Sequence, residues 1–184
     1  MKFVRSSLTV LSGLLLAAWL PLAHAWGASS QDATITVTPA ALVMLDLPTT
    51  TYAFGNINVN TSTNTATALT LTNIGEVSVA VDKRVTIESN PAGWTVSTST
   101  GLDTYVLYCA TSSTRLNLTD FGAATKFGLI NNVTPLTGST GTAPVLPPTG
   151  AGSSVDLWFR LDMPDRVSSL TSRTITVRFT ATSQ

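Results

Sequence analysis

The sequence predicts an all-β fold, an antiparallel β-sandwich wired as a Greek key and preceded by a signal peptide. Three observations predict it. Apolar and polar residues alternate along several runs, which is the period of a half-buried strand. Turn-forming residues interrupt those runs at intervals of about ten residues, the rhythm of short antiparallel strands. About thirty threonines and about twenty serines favour extended backbone. Past residue 25 no run keeps apolar residues at helical spacing.

The chain opens on Lys2 and Arg5, followed by an apolar stretch from Leu8 to Leu20 that Pro21 ends. Ala23-His24-Ala25 then supplies the small-x-small pattern of a signal-peptidase site, so residues 1–25 read as a signal peptide. The apolar run, about thirteen residues, is too short to cross a bilayer of roughly 30 Å as a helix. No cysteine stands at the cleavage point, so no lipid anchor is expected. The expected product is Trp26 to Gln184, exported, with no membrane anchor after cleavage. Residues 26–32 read as a flexible N-terminus, and residues 33–184 as a single domain.

Within that domain the strand candidates follow in order. Thr34 to Thr38, Ala41 to Leu47 and Ala66 to Asn73 come first. Val77 to Glu88 is longer, with apolar odd positions except Lys83, where a bend or bulge is expected. Trp94 to Thr98, Thr104 to Ala110 and Lys126 to Ile130 are shorter. The strongest are Val155 to Met163 and Arg173 to Thr182, which alternate cleanly and read as a hairpin with a mid-length loop. Between strands lie Asn73-Ile-Gly75, Asn90-Pro-Ala-Gly93, Thr100-Gly101 and Asp120-Phe-Gly122, each with turn chemistry. Residues 134–154 carry four prolines, four glycines and no charge, and read as a long loop.

Composition excludes several functions. The charged fraction is 11% with ten basic and ten acidic groups, so no basic surface exists for a nucleic-acid partner. Cleavage removes His24, the only histidine, together with Lys2 and Arg5, leaving a net charge of −2. Without histidine no Ser-His-Asp or Cys-His pair can form, nor a His-ligated zinc or copper centre. The single cysteine, Cys109, cannot build a thiolate cluster. No catalytic residue, metal or cofactor is therefore expected.

Other motifs have plain explanations. Leu146-Pro-Pro-Thr-Gly150 matches a cell-wall sorting signal, but two strong strands follow where a membrane span and basic tail belong. Cys109 shares a strand face with Tyr105 and Leu107 and reads as a buried thiol, the alternative being a bond to another chain. Asp156, Asp162 and Asp165 cluster in sequence, yet no calcium-loop pattern contains them. Trp94 and Trp158 offer aromatic surface for stacking against a sugar, the alternative being burial, with residues 134–154 covering Trp158. Asn60, Asn117 and Asn132 open glycosylation sequons.

Leu69-Thr-Leu-Thr-Asn-Ile-Gly75, followed by an alternating strand, resembles the strand, Asn-x-Gly, strand signature of bacterial Ig-like surface domains. The layout of signal peptide, Thr-rich strands and Phe54-Gly-Asn56 is similar to exported matrix-fibre proteins of the TasA and camelysin type. Leu157-Trp-Phe-Arg-Leu-Asp-Met-Pro164 resembles uncharacterised exported bacterial proteins of comparable length. The likeness spans residues 33 to 182 and implies an Ig-like or jelly-roll-like sandwich outside the cell, often within an assembly. No metalloprotease motif is present, so the proteolysis attributed to camelysins does not carry over.

The expected function is structural: an exported subunit of an extracellular filament, sheath or surface layer, secreted or held at the cell surface, its partners copies of itself or other surface proteins. A terminal strand beside a flexible start can complete a neighbour's sheet through main-chain bonds. Ile35, Val37, Leu42, Met44 and Leu45 would supply its side chains; the competing reading pairs this strand within its own domain. The rival function is a monomeric binding module for carbohydrate or cell-surface adhesion, using Trp94 or Trp158 with residues 134–154.

Overall fold

The two strands with the strongest alternation in sequence, the last two of the chain, lie in different sheets. The computed structural model describes residues 36–38, 40–88 and 93–184. Residues 1–35, 39 and 89–92 lie outside the described residues, and with them the stretch expected as a signal peptide and most of the turn expected at Asn90 to Gly93. Contacts divide the chain after Pro39, and the unit from Ala40 to Gln184 holds every strand described. The strands are β1 (Leu45–Asp46), β2 (Ser62–Asn64), β3 (Leu69–Asn73), β4 (Val79–Glu88), β5 (Thr95–Val96) and β6 (Thr104–Thr111). They continue with β7 (Thr134–Pro135), β8 (Thr137–Gly138), β9 (Val145–Leu146), β10 (Ser154–Asp162) and β11 (Ile175–Ser183). Two single turns of 3-10 helix, Leu118–Asp120 and Ala123–Thr125, are the only helical pieces among the described residues. The fold is all-β.

The first sheet runs β1-β3-β10-β6-β5. One edge of β10 pairs antiparallel with β6; the other takes β3 and then β2. Thr65 splices β2 to β3. Its amide donates to the Phe159 carbonyl (2.8 Å), and its hydroxyl accepts from the Phe159 amide (3.1 Å), replacing a backbone carbonyl in the ladder. The second sheet runs β11-β4-β7, with β9 also on β4. Leu69, Leu71, Tyr105, Leu107, Cys109, Leu157, Phe159 and Leu161 from the first sheet meet Val79, Val81 and Val85 of β4 in one buried cluster. The core is where these two inner faces meet.

The stretch expected as a long loop closes one side of that core instead. Thr134–Pro135 pairs with β4, Thr137–Gly138 with β6, and Val145–Leu146 with β4 again. Leu136 and Leu146 are fully buried, and the Leu136 amide donates to the Val81 carbonyl (2.8 Å). Proline has no N–H to give, so a segment with four prolines pairs only in two-residue pieces along existing edges.

Three further expectations are corrected. The two strongest strands do not form a hairpin: β2, β3 and β6 occupy both edges of β10, so β11 pairs antiparallel with β4. The crossing between them is pinned by Asp103, whose carboxylate accepts from the Ser168 amide (2.8 Å) and hydroxyl (2.6 Å). The irregularity in β4 falls at Thr86, the unpaired residue where Thr176 faces Ile87 and Val177 faces Val85; Lys83 is regular and faces inward. Lys126 to Ile130 makes only a bridge at Lys126 to Tyr108, because a helical turn precedes it and Gly128 packs against Asn132.

Candidate functional site

The side opposite the proline-rich closure is built differently. At its first-sheet margin, Leu45 pairs with Asn73 and Asp46 with Thr72. The pairing extends upstream, with the Ile74 amide on the Met44 carbonyl (3.1 Å) and the Glu76 amide on the Leu42 carbonyl (2.9 Å). Asn73-Ile-Gly75 makes this approach possible. The Asn73 side chain donates to the Val77 (2.8 Å) and Leu146 (2.9 Å) carbonyls and accepts from the Gly75 amide (2.9 Å). A Cβ on Gly75 would stand 2.5 Å from the Leu42 carbonyl oxygen and 2.8 Å from the Met44 nitrogen, so the position needs glycine.

At its second-sheet margin stands β11, nine residues long and paired on one edge only, with β4. Among the described residues no strand pairs with its other edge. Its inward residues Ile175, Val177, Phe179 and Ala181 are half-buried, whereas Val79, Val81 and Val85 of the adjacent β4 are buried. Between the two margins runs a largely apolar groove of about 280 Å³, lined by Leu45, Leu47 and Leu71 on one side and by Thr176, Val177, Arg178 and Phe179 of β11 on the other.

The residues expected to form an exchangeable strand are thereby divided. Leu42, Met44 and Leu45 lie along β3 of their own chain: Leu45 packs on the core, while Leu42 and Met44 turn outward at 47% and 42% exposure. Val37 is 79% exposed, and Ile35 lies outside the described residues.

The two tryptophans do not form one platform. Trp94 packs at the inner cluster, 6.4 Å from the Tyr105 ring, with the Arg173 guanidinium 5.9 Å from its own ring. Trp158 sits on the opposite face of that sheet with Val106, Tyr108, Leu116 and Phe121, at 8% exposure. Its indole N–H donates to the Ser112 carbonyl (2.9 Å). Residues 112–121 cover it, not the 134–154 stretch expected for that role. Arg160 lies over the Tyr108 ring at 4.8 Å, pairs with Asp162 at 2.7 Å and donates to the Leu118 carbonyl (2.6 Å), completing that cover.

Sequence reasoning passed over the buried amine. Lys83 is fully buried on β4, and its ammonium donates to the Cys109 and Thr125 carbonyls, both at 2.7 Å, with the Phe127 ring at 5.2 Å. Burial pushes it down from 10.5 to about 8, and pushes the neighbouring Cys109 thiol up from 9.0 to about 12. The available signal was a lone charge at an inward position of an alternating strand. Among the described residues no group of three His, Cys, Asp or Glu side chains is placed to hold a metal ion. Leu146, first residue of the sorting-signal match, is buried in the core and so not displayed to an enzyme. The chain matches no family model, no curated protein and no solved structure.

Proposed function

We propose that this chain is an exported, non-catalytic structural protein, a subunit of an extracellular filament, sheath or surface layer that assembles through β-strand contacts. The finer fold reading belongs with it: an Ig-like or jelly-roll-like β-sandwich behind a signal peptide. One observation carries the proposal. Among the described residues, β11 offers nine residues of unpaired edge beside an open, largely apolar groove. A long strand edge left without proline, bulge or inward charge is a template for another chain, and β11 has none of these on its own strand.

The test is direct. Purified protein examined by light scattering and negative-stain electron microscopy across a concentration series is expected to give large regular species. A monomer at every concentration would refute the proposal.

The second reading, a monomeric binding module for carbohydrate or adhesion, draws on Trp94 rather than Trp158. Trp94 is half-buried, and its indole N–H has no acceptor among the described residues. This reading expects a monomer whose tryptophan fluorescence shifts when glycans are added.

A further inference from the structure

The geometry points to a specific donor for the open side: the segment Ala33-Thr-Ile-Thr-Val-Thr38 of a second copy of this chain, added to the free edge of β11 with Ile35 and Val37 set into the groove. The inference rests on the assembly reading above and names its two contacting surfaces.

The donor has the pattern the acceptor requires. Residues 33–38 place apolar Ile35 and Val37 on one face and Thr34, Thr36 and Thr38 on the other. β11 repeats this arrangement, with Ile175, Val177 and Phe179 inward and Thr176, Arg178 and Thr180 outward. Side chains two apart on an added strand rise by about 7 Å, in step with Val177 and Phe179 on the wall they would meet. The donor carries no charge, so entering the groove strips water from no ionised group of its own. Pro39 follows immediately and, with no N–H, ends the pairing there.

A second copy is favoured over the chain's own segment for two reasons. In the single chain Thr36–Thr38 belongs to no strand, and Val37 is 79% exposed. The residues just downstream, Leu42 to Asp46, are held on β3 of the first sheet by paired backbone groups, so the chain reaches its own fold by another margin. Each molecule thus offers one donor segment and one acceptor edge. Such a head-to-tail contact propagates as a filament unless its rotation closes a ring.

The experiment uses the full chain in the processed form its expression host yields. Thr36→Cys and Arg178→Cys, which face each other when Ile35 and Val37 meet Val177 and Phe179, are made on separate chains, each carrying Cys109→Ala, then mixed and oxidised. The expected product is a disulfide-linked heterodimer, and Val37→Asp is expected to lower assembly at least tenfold with an unchanged circular dichroism spectrum. Three results overturn the inference: no heterodimer from chains that still assemble, wild-type assembly by Val37→Asp, or a cross-link found only inside a chain carrying both cysteines. Failure of the unmodified protein to assemble would refute the functional reading itself and the inference with it.

Discussion

Lys83 reaches across the core from one sheet to two backbone carbonyls, at Cys109 and Thr125, that its ammonium satisfies. Its acid–base behaviour is coupled to the Cys109 thiol, and the two act in opposite directions. Lys83 titrates near 8 in the folded chain and near 10.5 when unfolded, so between these values the unfolded chain binds the extra proton. Stability then rises with pH by about 1.4 kcal/mol per unit. Cys109 is the reverse: its thiol keeps its proton to about 12 when folded and loses it near 9.0 when unfolded, which lowers stability above pH 9. The expected profile rises from about pH 8 to 9, stays level to about 10.5 while the two terms cancel, and falls beyond. Tyr108, raised by its burial, adds to the fall above 10. Urea midpoints measured from pH 7 to 11 check this. Lys83→Met should lose the rise and decline from pH 9, whereas Cys109→Ala should keep rising to about 10.5. An unchanged midpoint between pH 8 and 9 in the unmodified protein would show that the ammonium is not buried. The same burial makes the native thiol unreactive, so Cys109 should take up iodoacetamide only on unfolding.

Individual strands depend on local contacts that a single substitution can break. β1 is held by two backbone pairs and by Gly75, whose missing side chain admits the 42–44 backbone. Gly75→Ala should cost about 1–3 kcal/mol by forcing that backbone away. Amide exchange at Ile74 and Glu76 should quicken while β10 stays protected. These elements also show what the sequence made legible. The span of β4, β6, β10 and β11 was readable to within about two residues, since strict alternation is local information. Their partners were not. The expected β10–β11 hairpin failed because β3 and β6, more than 40 residues upstream of β10, occupy its edges. The short strands inside 134–146 left no periodic trace, since two residues cannot show a period of two. Lys83 broke the apolar pattern and so suggested an irregularity, when its long side chain simply carries the charge to carbonyls on another strand. The open groove was illegible for a related reason: whether an edge is free depends on every pairing in the sheet.

At the scale of the molecule the two long sides of the core are unequal. One is sealed by Leu136, Leu146 and the short strands around them; on the other, the outer edge of β11 has no strand partner among the described residues and its inward residues are half-covered. A chain that leaves one side open exposes apolar surface and unpaired backbone to water, and an added strand removes both. Assembly by that route has an electrostatic signature. The donor segment is uncharged, so contacts formed there should survive from about 0.05 to 1 M salt, where charged interfaces weaken by screening. A charge placed inside the groove should act in the opposite way. In Val177→Lys the half-open position lets the ammonium reach water past the rim, so the monomer keeps its fold. An incoming strand would bury that ammonium unpaired, which is how natural sheets block edge pairing. Light scattering should therefore show assembly in the unmodified protein at every salt concentration and in Val177→Lys at none. Assembly of both, or dissolution of the unmodified protein by salt alone, would mean that subunits meet through a charged outer face and that the unpaired edge of β11 is not what joins them.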